Sequence, residues 1–160
     1  MEKVCVFAPS TIANLSVGFD VIGMALDQLG DKVELSKNYK QENKIVEIIN
    51  GDDLPTDLNL NCCSVVIRKM QEALNVYMGV DIRIYKGFDS GSGLGSSSAS
   101  SAAAAYAYNK LVGEPFKVDE LVQFATEGER VACGVGHADN VAPALLGGMV
   151  LVRSLEPVEM

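Results

Sequence analysis

The chain has 160 residues, enough for one domain with a sizeable core. Apolar residues make up 48%, which excludes an intrinsically disordered chain. The net charge of −8 argues against a nucleic-acid or anionic-membrane surface, so an anionic ligand needs a local site of backbone amides, a metal or a few basic side chains.

Val4 to Ala8 reads as a short strand ended by Pro9, and Ser10 to Gly18 as a polar, turn-rich loop containing Asn14. Phe19-Asp20 opens an apolar stretch to Leu29. Asp31 to Lys37 alternates apolar and polar residues as a half-buried strand does. Lys44 to Asn50 reads as a further strand, and Gly51 to Asn59 as a loop rich in Asp and Pro. Asn61 to Val76 has the spacing of an amphipathic helix, with Val66, Met70, Ala73 and Leu74 on one face. Val80 to Tyr85 alternates Val80, Ile82 and Ile84 onto one face of a strand. Ser97 to Leu111 is an alanine-rich helix, and Val118 to Thr126 another, open to extension through Glu129 and Val131. Gly134 and Gly136 break it. Asp139 to Leu145 fits a short helix and Gly148 to Arg153 a last strand. This order is an α+β pattern rather than a regular βαβ series.

Four cysteines occur, Cys5, Cys62, Cys63 and Cys133, without a C-x-x-C pair and with one histidine in the chain. Buried, reduced thiols of a cytoplasmic protein are expected rather than a zinc site. The N-terminus carries charge too early for a signal peptide, and no apolar run reaches the roughly 18 residues of a membrane span.

Gly91-Ser92-Gly93-Leu94-Gly95-Ser96-Ser97-Ser98 sits between a strand and a helix. Such a turn leaves backbone N–H groups open at a helix start, where the dipole favours negative charge. Serines there add hydroxyls suited to capping the first turn or binding a metal. A Walker loop is excluded because no lysine follows the glycines, and a dinucleotide fingerprint because Ser96 stands where its third glycine belongs. No Gly-x-Ser-x-Gly elbow occurs. Taken alone, the loop leaves a capped turn and a phosphate cradle evenly matched.

Two further segments shift that balance: Pro9 to Asp20, which includes Asn14-Leu15-Ser16-Val17-Gly18-Phe19-Asp20, and Gly128-Glu129-Arg130 followed by His137-Ala138-Asp139-Asn140-Val141-Ala142-Pro143. Together with the glycine loop they resemble the GHMP kinase family, and within it the homoserine kinases. The resemblance implies a ribosomal protein S5 domain 2-like α+β fold, with ATP and Mg²⁺ as cofactors. It implies phosphorylation of the side-chain hydroxyl of L-homoserine, a small-molecule substrate, in threonine biosynthesis. It implies that Asp89, Ser90, Gly91, Ser92, Gly93, Leu94, Gly95, Ser96, Ser97, Ser98 and Ala99 wrap the nucleotide phosphates. Ser97 and Glu129 match the metal-binding positions, and Asn61 matches a position near the adenine; alone, Asn61 reads as a helix cap and Glu129 as a solvated helix face. Asn14, Asp20, His137, Asp139 and Asn140 match the substrate pocket, with Asp20 toward the ammonium and Asn140 toward the hydroxyl. Asp139 and Asn140 are the catalytic candidates. An aspartate at this place is discussed as a base in other members of the family, although catalysis without one has been argued for homoserine kinases.

The sequence departs from the family at Asp89, where proline is usual, and at Ser98, where alanine is. The resemblance also implies a second, ferredoxin-like domain with a third glycine-rich motif. Residues 1–160 are accordingly expected to be the N-terminal domain alone, a truncation or split gene product with weak or no activity and a tendency to self-associate. A non-catalytic nucleotide-binding or dimerising module, or a kinase for another small alcohol, is the competing expectation.

Overall fold

The computed structural model describes residues 1–16, 18–155 and 158–160, the side chain of Leu155 excepted. Val17, inside the Asn14–Asp20 motif, lies outside the described residues. The chain runs β1 (Lys3–Ala13), β2 (Ile22–Lys37), β3 (Lys44–Ile49), α1 (Cys62–Leu74), β4 (Val80–Tyr85), α2 (Ser96–Leu111), α3 (Leu121–Cys133), α4 (Ala138–Leu146) and β5 (Met149–Leu151), then a small β6–β7 pair (Ser154–Leu155 and Val158–Glu159).

The main sheet has the order β1-β2-β4-β3, with β5 on the first residues of β2. β1, β4 and β5 pair β2 antiparallel, while β3 runs parallel to β4 after the α1 crossover. Period-2 alternation aims Val33 and Leu35 of β2, and Val80, Ile82 and Ile84 of β4, at the helices, where each is buried. Central to the helical layer is α2, in which every residue but Ser97, Tyr106 and Lys110 is buried. Its run of alanines lets β1, β2, α1, α3 and α4 all approach it.

The first strand is longer than its sequence indicates. Pro9 does not end β1, and Thr11 to Ala13, expected in a loop, pair with Gly23 to Ala25. The register shifts between Pro9 and Thr11, and β1 lies at the sheet edge, the setting in which a strand tolerates a residue without an N–H. In the same way β2 is one long strand rather than an apolar stretch followed by a strand. Two further expectations differ: Ala73 is exposed, and Cys5 and Cys133 are exposed rather than buried. Among the described residues no helix is long and apolar enough to cross a membrane.

Candidate phosphate-binding site

The glycine loop leaves β4 at Lys86 and enters α2 at Ser96. Gly91, Gly93 and Gly95 have φ of +77°, +77° and +66°, a region L-residues avoid. A Cβ at Gly91 or Gly93 would meet only open space, whereas one at Gly95 would press on the Thr11 hydroxyl and the Asn140 carbonyl. Gly95 is the N-cap of α2 and provides no side-chain bond.

Of the two roles open to the serines, capping is not the one they take. Ser97 and Ser98 instead donate to Glu129 Oε2 on α3 at 2.7 and 2.8 Å, and Ser100 donates to Asp31 Oδ2 at 2.6 Å. The consequence favours an anion: no side chain caps this 16-residue helix, and its first turn holds no acidic residue.

Glu129, alone readable as a solvated position, is 7% exposed. It faces inward because α3 packs on α2 and α1; the close approach requires Gly128, where a Cβ would strike the Ser101 hydroxyl. No described ion pair engages this carboxylate; its described side-chain partners are the two serine hydroxyls and the Cys133 thiol. A buried anion in that state fits a hard cation, with the Ser97 hydroxyl as a neighbouring oxygen ligand. Cys133 lies 3.8 Å from Ser97 Oγ, and burial followed by the Glu129 charge pushes its thiol up, away from the thiolate.

A hollow of about 470 Å³ is lined by Ser90, Gly91, Gly93, Gly95, Ser96, Ser97, Glu129, Cys133 and Asn140. It therefore joins two of the sequence-predicted groups, the glycine loop and the His137–Asn140 segment. Ser90, Ser96 and Ser97 also line an adjacent, more apolar cavity of about 270 Å³ with Leu54, Pro55, Leu60, Asn61, Lys86 and Val131. Asn61 forms part of that wall while capping α1: its Oδ1 accepts from the Cys63 N–H at 3.0 Å and its Nδ2 donates to the Pro55 carbonyl. Asp89 faces neither cavity; it borders a separate hollow with Asn50, Asp53 and Lys86, which keeps its charge off the loop's open amides. Ser98 and Ala99 are buried and line neither of these two cavities, whose walls reach along the loop as far as Ser97.

The other predicted residues form a neighbouring group. Asn14 has φ +59°, and its Oδ1 accepts from the Asp20 N–H at 2.8 Å, closing the loop between them. Asp20 Oδ1 is 3.8 Å from His137 Nδ1, both side chains being partly exposed. His137 precedes α4, so Asp139 and Asn140 occupy its first turn. Asp139 is 2% exposed, and burial raises its carboxyl from its ordinary value. Its backbone oxygen packs on β2 where a Cβ at Gly23 would collide with it, and Pro143, four residues on, has no N–H to offer that oxygen.

Three residues at the site escaped the sequence reading. Thr11, fully buried, donates through Oγ1 to Asn140 Oδ1 at 2.9 Å and through its N–H to the Leu94 carbonyl at 3.0 Å. It ties the glycine loop to α4 from inside the Pro9–Asp20 motif. Lys86 and Asp31 form an ion pair with side-chain exposures of 3% and 0% directly beneath the loop. The signal for that pair was the strand alternation, which puts Lys86 on the face of Ile82 and Ile84, and Asp31 on the face of Val33 and Leu35.

Comparison with known proteins gives a consistent picture. Residues 61–148 match the model of the GHMP kinases N terminal domain. A homoserine kinase of Methanococcus maripaludis is 44% identical over 160 residues, all of this chain and 53% of that protein. A homoserine kinase of Chloroherpeton thalassium is 42% identical and is covered over 54% of its length. The crystal structure of homoserine kinase from Cytophaga hutchinsonii superimposes with a TM-score of 0.95 at 47% identity, over 99% of this chain and 51% of that one. Mevalonate kinase of Methanococcus jannaschii shares the fold, with a TM-score of 0.72 at 20% identity. The chain spans about half the length of the relatives it matches.

Proposed function

Because the chain belongs to the GHMP kinase family through its N-terminal domain, we propose that it is the nucleotide-binding half of an enzyme that phosphorylates the hydroxyl of L-homoserine. The observation that carries this reading is the single hollow lined by the glycine loop, Ser97, Glu129 and Asn140. It sets an anion cradle, a buried cation-ready carboxylate and an amide able to bond a hydroxyl side by side. The names of the relatives at 42–44% identity support homoserine as the acceptor.

When bound, ATP supplies the γ-phosphoryl group and Mg²⁺ neutralises charge on its oxygens. The residues of the chain have the remaining tasks. The loop amides from Gly93 to Ser97 hold phosphate oxygens, Ser97 and Glu129 hold the cation, and the cavity walled by Leu54, Pro55 and Asn61 receives the base. Asn140, its carbonyl fixed by Thr11, turns its Nδ2 to the substrate hydroxyl. Asp20 and His137 meet the amino-acid end of the substrate. Asp139, its carboxyl raised by burial, orients the first turn of α4 through the Asn140 N–H; transfer by positioning and charge neutralisation has no requirement for it as a base.

Calorimetric titration of the 160-residue chain with Mg-ATP, alongside a coupled assay for ADP release with L-homoserine, tests the reading. Binding of one nucleotide per chain with little or no turnover is expected. Absence of Mg-ATP binding overturns the nucleotide site, and turnover equal to that of a complete homologous kinase overturns the assignment of this chain as half of the machinery.

A further inference from the structure

Nothing in the proposed chemistry uses the buried charges beneath the loop. Lys86 is the residue after β4, where the loop begins, and Asp31 lies on β2. The Lys86 ammonium has three N–H donors. One goes to Asp31 Oδ2, one to Ser100 Oγ at 3.0 Å and one to the Ser96 carbonyl at 3.1 Å. Asp31 is engaged as fully. Its Oδ2 also accepts from Ser100 Oγ, and its Oδ1 accepts from the Gly87 N–H at 3.0 Å. With every donor spent inside the protein, the ammonium has none left for a ligand.

The partners mark out a pattern. Gly87 is the first residue past Lys86 on the way into the loop, and Ser96 is the first residue of α2 on the way out. One ion pair thus grips both ends of the segment 87–95. Phe88, inside the segment, has its ring centroid 5.3 Å from the same ammonium. Thr11 holds the segment close to its α2 end through Leu94. An ion pair of this depth is weak support for stability, since desolvation offsets much of its attraction. Its placement gives it another use.

We propose that Lys86 and Asp31 are positioning residues for the glycine loop. Their buried pair sets the distance and orientation between the end of β4 and the start of α2, so the loop amides face the phosphate position before any ligand arrives. The purpose of this ordering rests on the nucleotide reading above; the clamp itself does not.

The test compares the wild-type chain with the double variant Asp31→Leu/Lys86→Met and with Ser100→Ala. Removing both charges avoids leaving one buried and unpaired, and Ser100→Ala removes one strut while keeping the pair. Amide hydrogen exchange is read at residues 88–95 against α1 as internal reference, and Mg-ATP affinity by calorimetry. In the double variant the loop amides are expected to exchange about tenfold faster and Mg-ATP to bind about tenfold more weakly, with cooperative melting retained and smaller changes in the same direction for Ser100→Ala. Loop exchange and affinity equal to wild type in folded variants overturn the proposal. If the wild-type chain binds no Mg-ATP, the nucleotide reading falls, and loop exchange alone still decides the clamp.

Discussion

Glu129→Gln separates the two tasks that a buried carboxylate can perform at this site. The amide keeps an oxygen acceptor for the Ser97 and Ser98 hydroxyls, so neither is stranded, but it removes the charge. A hydrogen bond to a charged group exceeds a neutral one by about 1 kcal/mol, so the two bonds lose about 2 kcal/mol together. Against this stands the effective penalty of several kcal/mol for holding a carboxylate away from water with no cation beside it. Without ligand, the variant should therefore melt at or slightly above the wild-type temperature. The cation response should differ. At a hundredfold excess over Kd, a ligand that binds only the folded chain stabilises by about 2.7 kcal/mol, which for a domain of this size corresponds to about 5–11 °C. Thermal melts at constant ionic strength, with ATP, Mg²⁺ and Mg-ATP in turn, read the terms separately. In the wild type Mg²⁺ should add to the shift produced by ATP; in Glu129→Gln the ATP shift should remain while the Mg²⁺ increment disappears. A variant that melts several degrees lower without ligand, or that keeps the full Mg²⁺ increment, refutes the reasoning.

Burial raises the Asp139 carboxyl, so the folded chain binds its proton more tightly than the unfolded chain does. The penalty is fully present above the folded value and vanishes as pH falls below the unfolded value of about 3.9. Asp139→Asn should accordingly raise Tm at about pH 7.5, with a gain that shrinks as pH falls and vanishes below about pH 3; a gain constant across that range counts against the assignment. Thr11→Val, which strands Asn140 Oδ1, should lower stability by about 1 kcal/mol, or about 2–4 °C in a melt, with Thr11→Ser recovering most of it. Gly95→Ala should cost clearly more in urea denaturation than Gly93→Ala. Both have positive φ, worth about 1–2 kcal/mol, but only the first drives a Cβ into Thr11 and Asn140; equal losses would mean that the junction yields freely.

Those elements whose periodicity is local were legible from the chain. The alternation of Val80, Ile82 and Ile84 and the helical spacing of Val66 and Met70 gave β4 and α1 nearly to the residue. β1 runs on past Pro9 because proline is a breaker only where its N–H is needed, and an edge position with a register shift is a tertiary circumstance. The glycine loop, Glu129 and Asn140 were found through motifs, yet the motifs do not contain the geometry. That the serines bond Glu129 instead of capping their own helix depends on the packing of α3 against α2, which residue spacing does not encode.

Lys86 and Asp31 pose the opposite case, since strand alternation alone places both. Carried one step beyond Ile84, the β4 alternation puts Lys86 on the buried face; carried one step before Val33, the β2 alternation does the same for Asp31. Two opposite charges on the inward faces of strands that pair antiparallel are each other's natural partners, because neither could remain ionised and buried alone. A strand that would bury a lone lysine is then a statement about its neighbour as well as about itself. Here the neighbour is the strand pairing with β4, and the pair lies where the glycine loop begins. The loop's glycines allow it to turn closely around a ligand, but the same freedom makes it costly to order. A rigid anchor beneath a flexible turn resolves that conflict, with Thr11 and Glu129 fixing its far side.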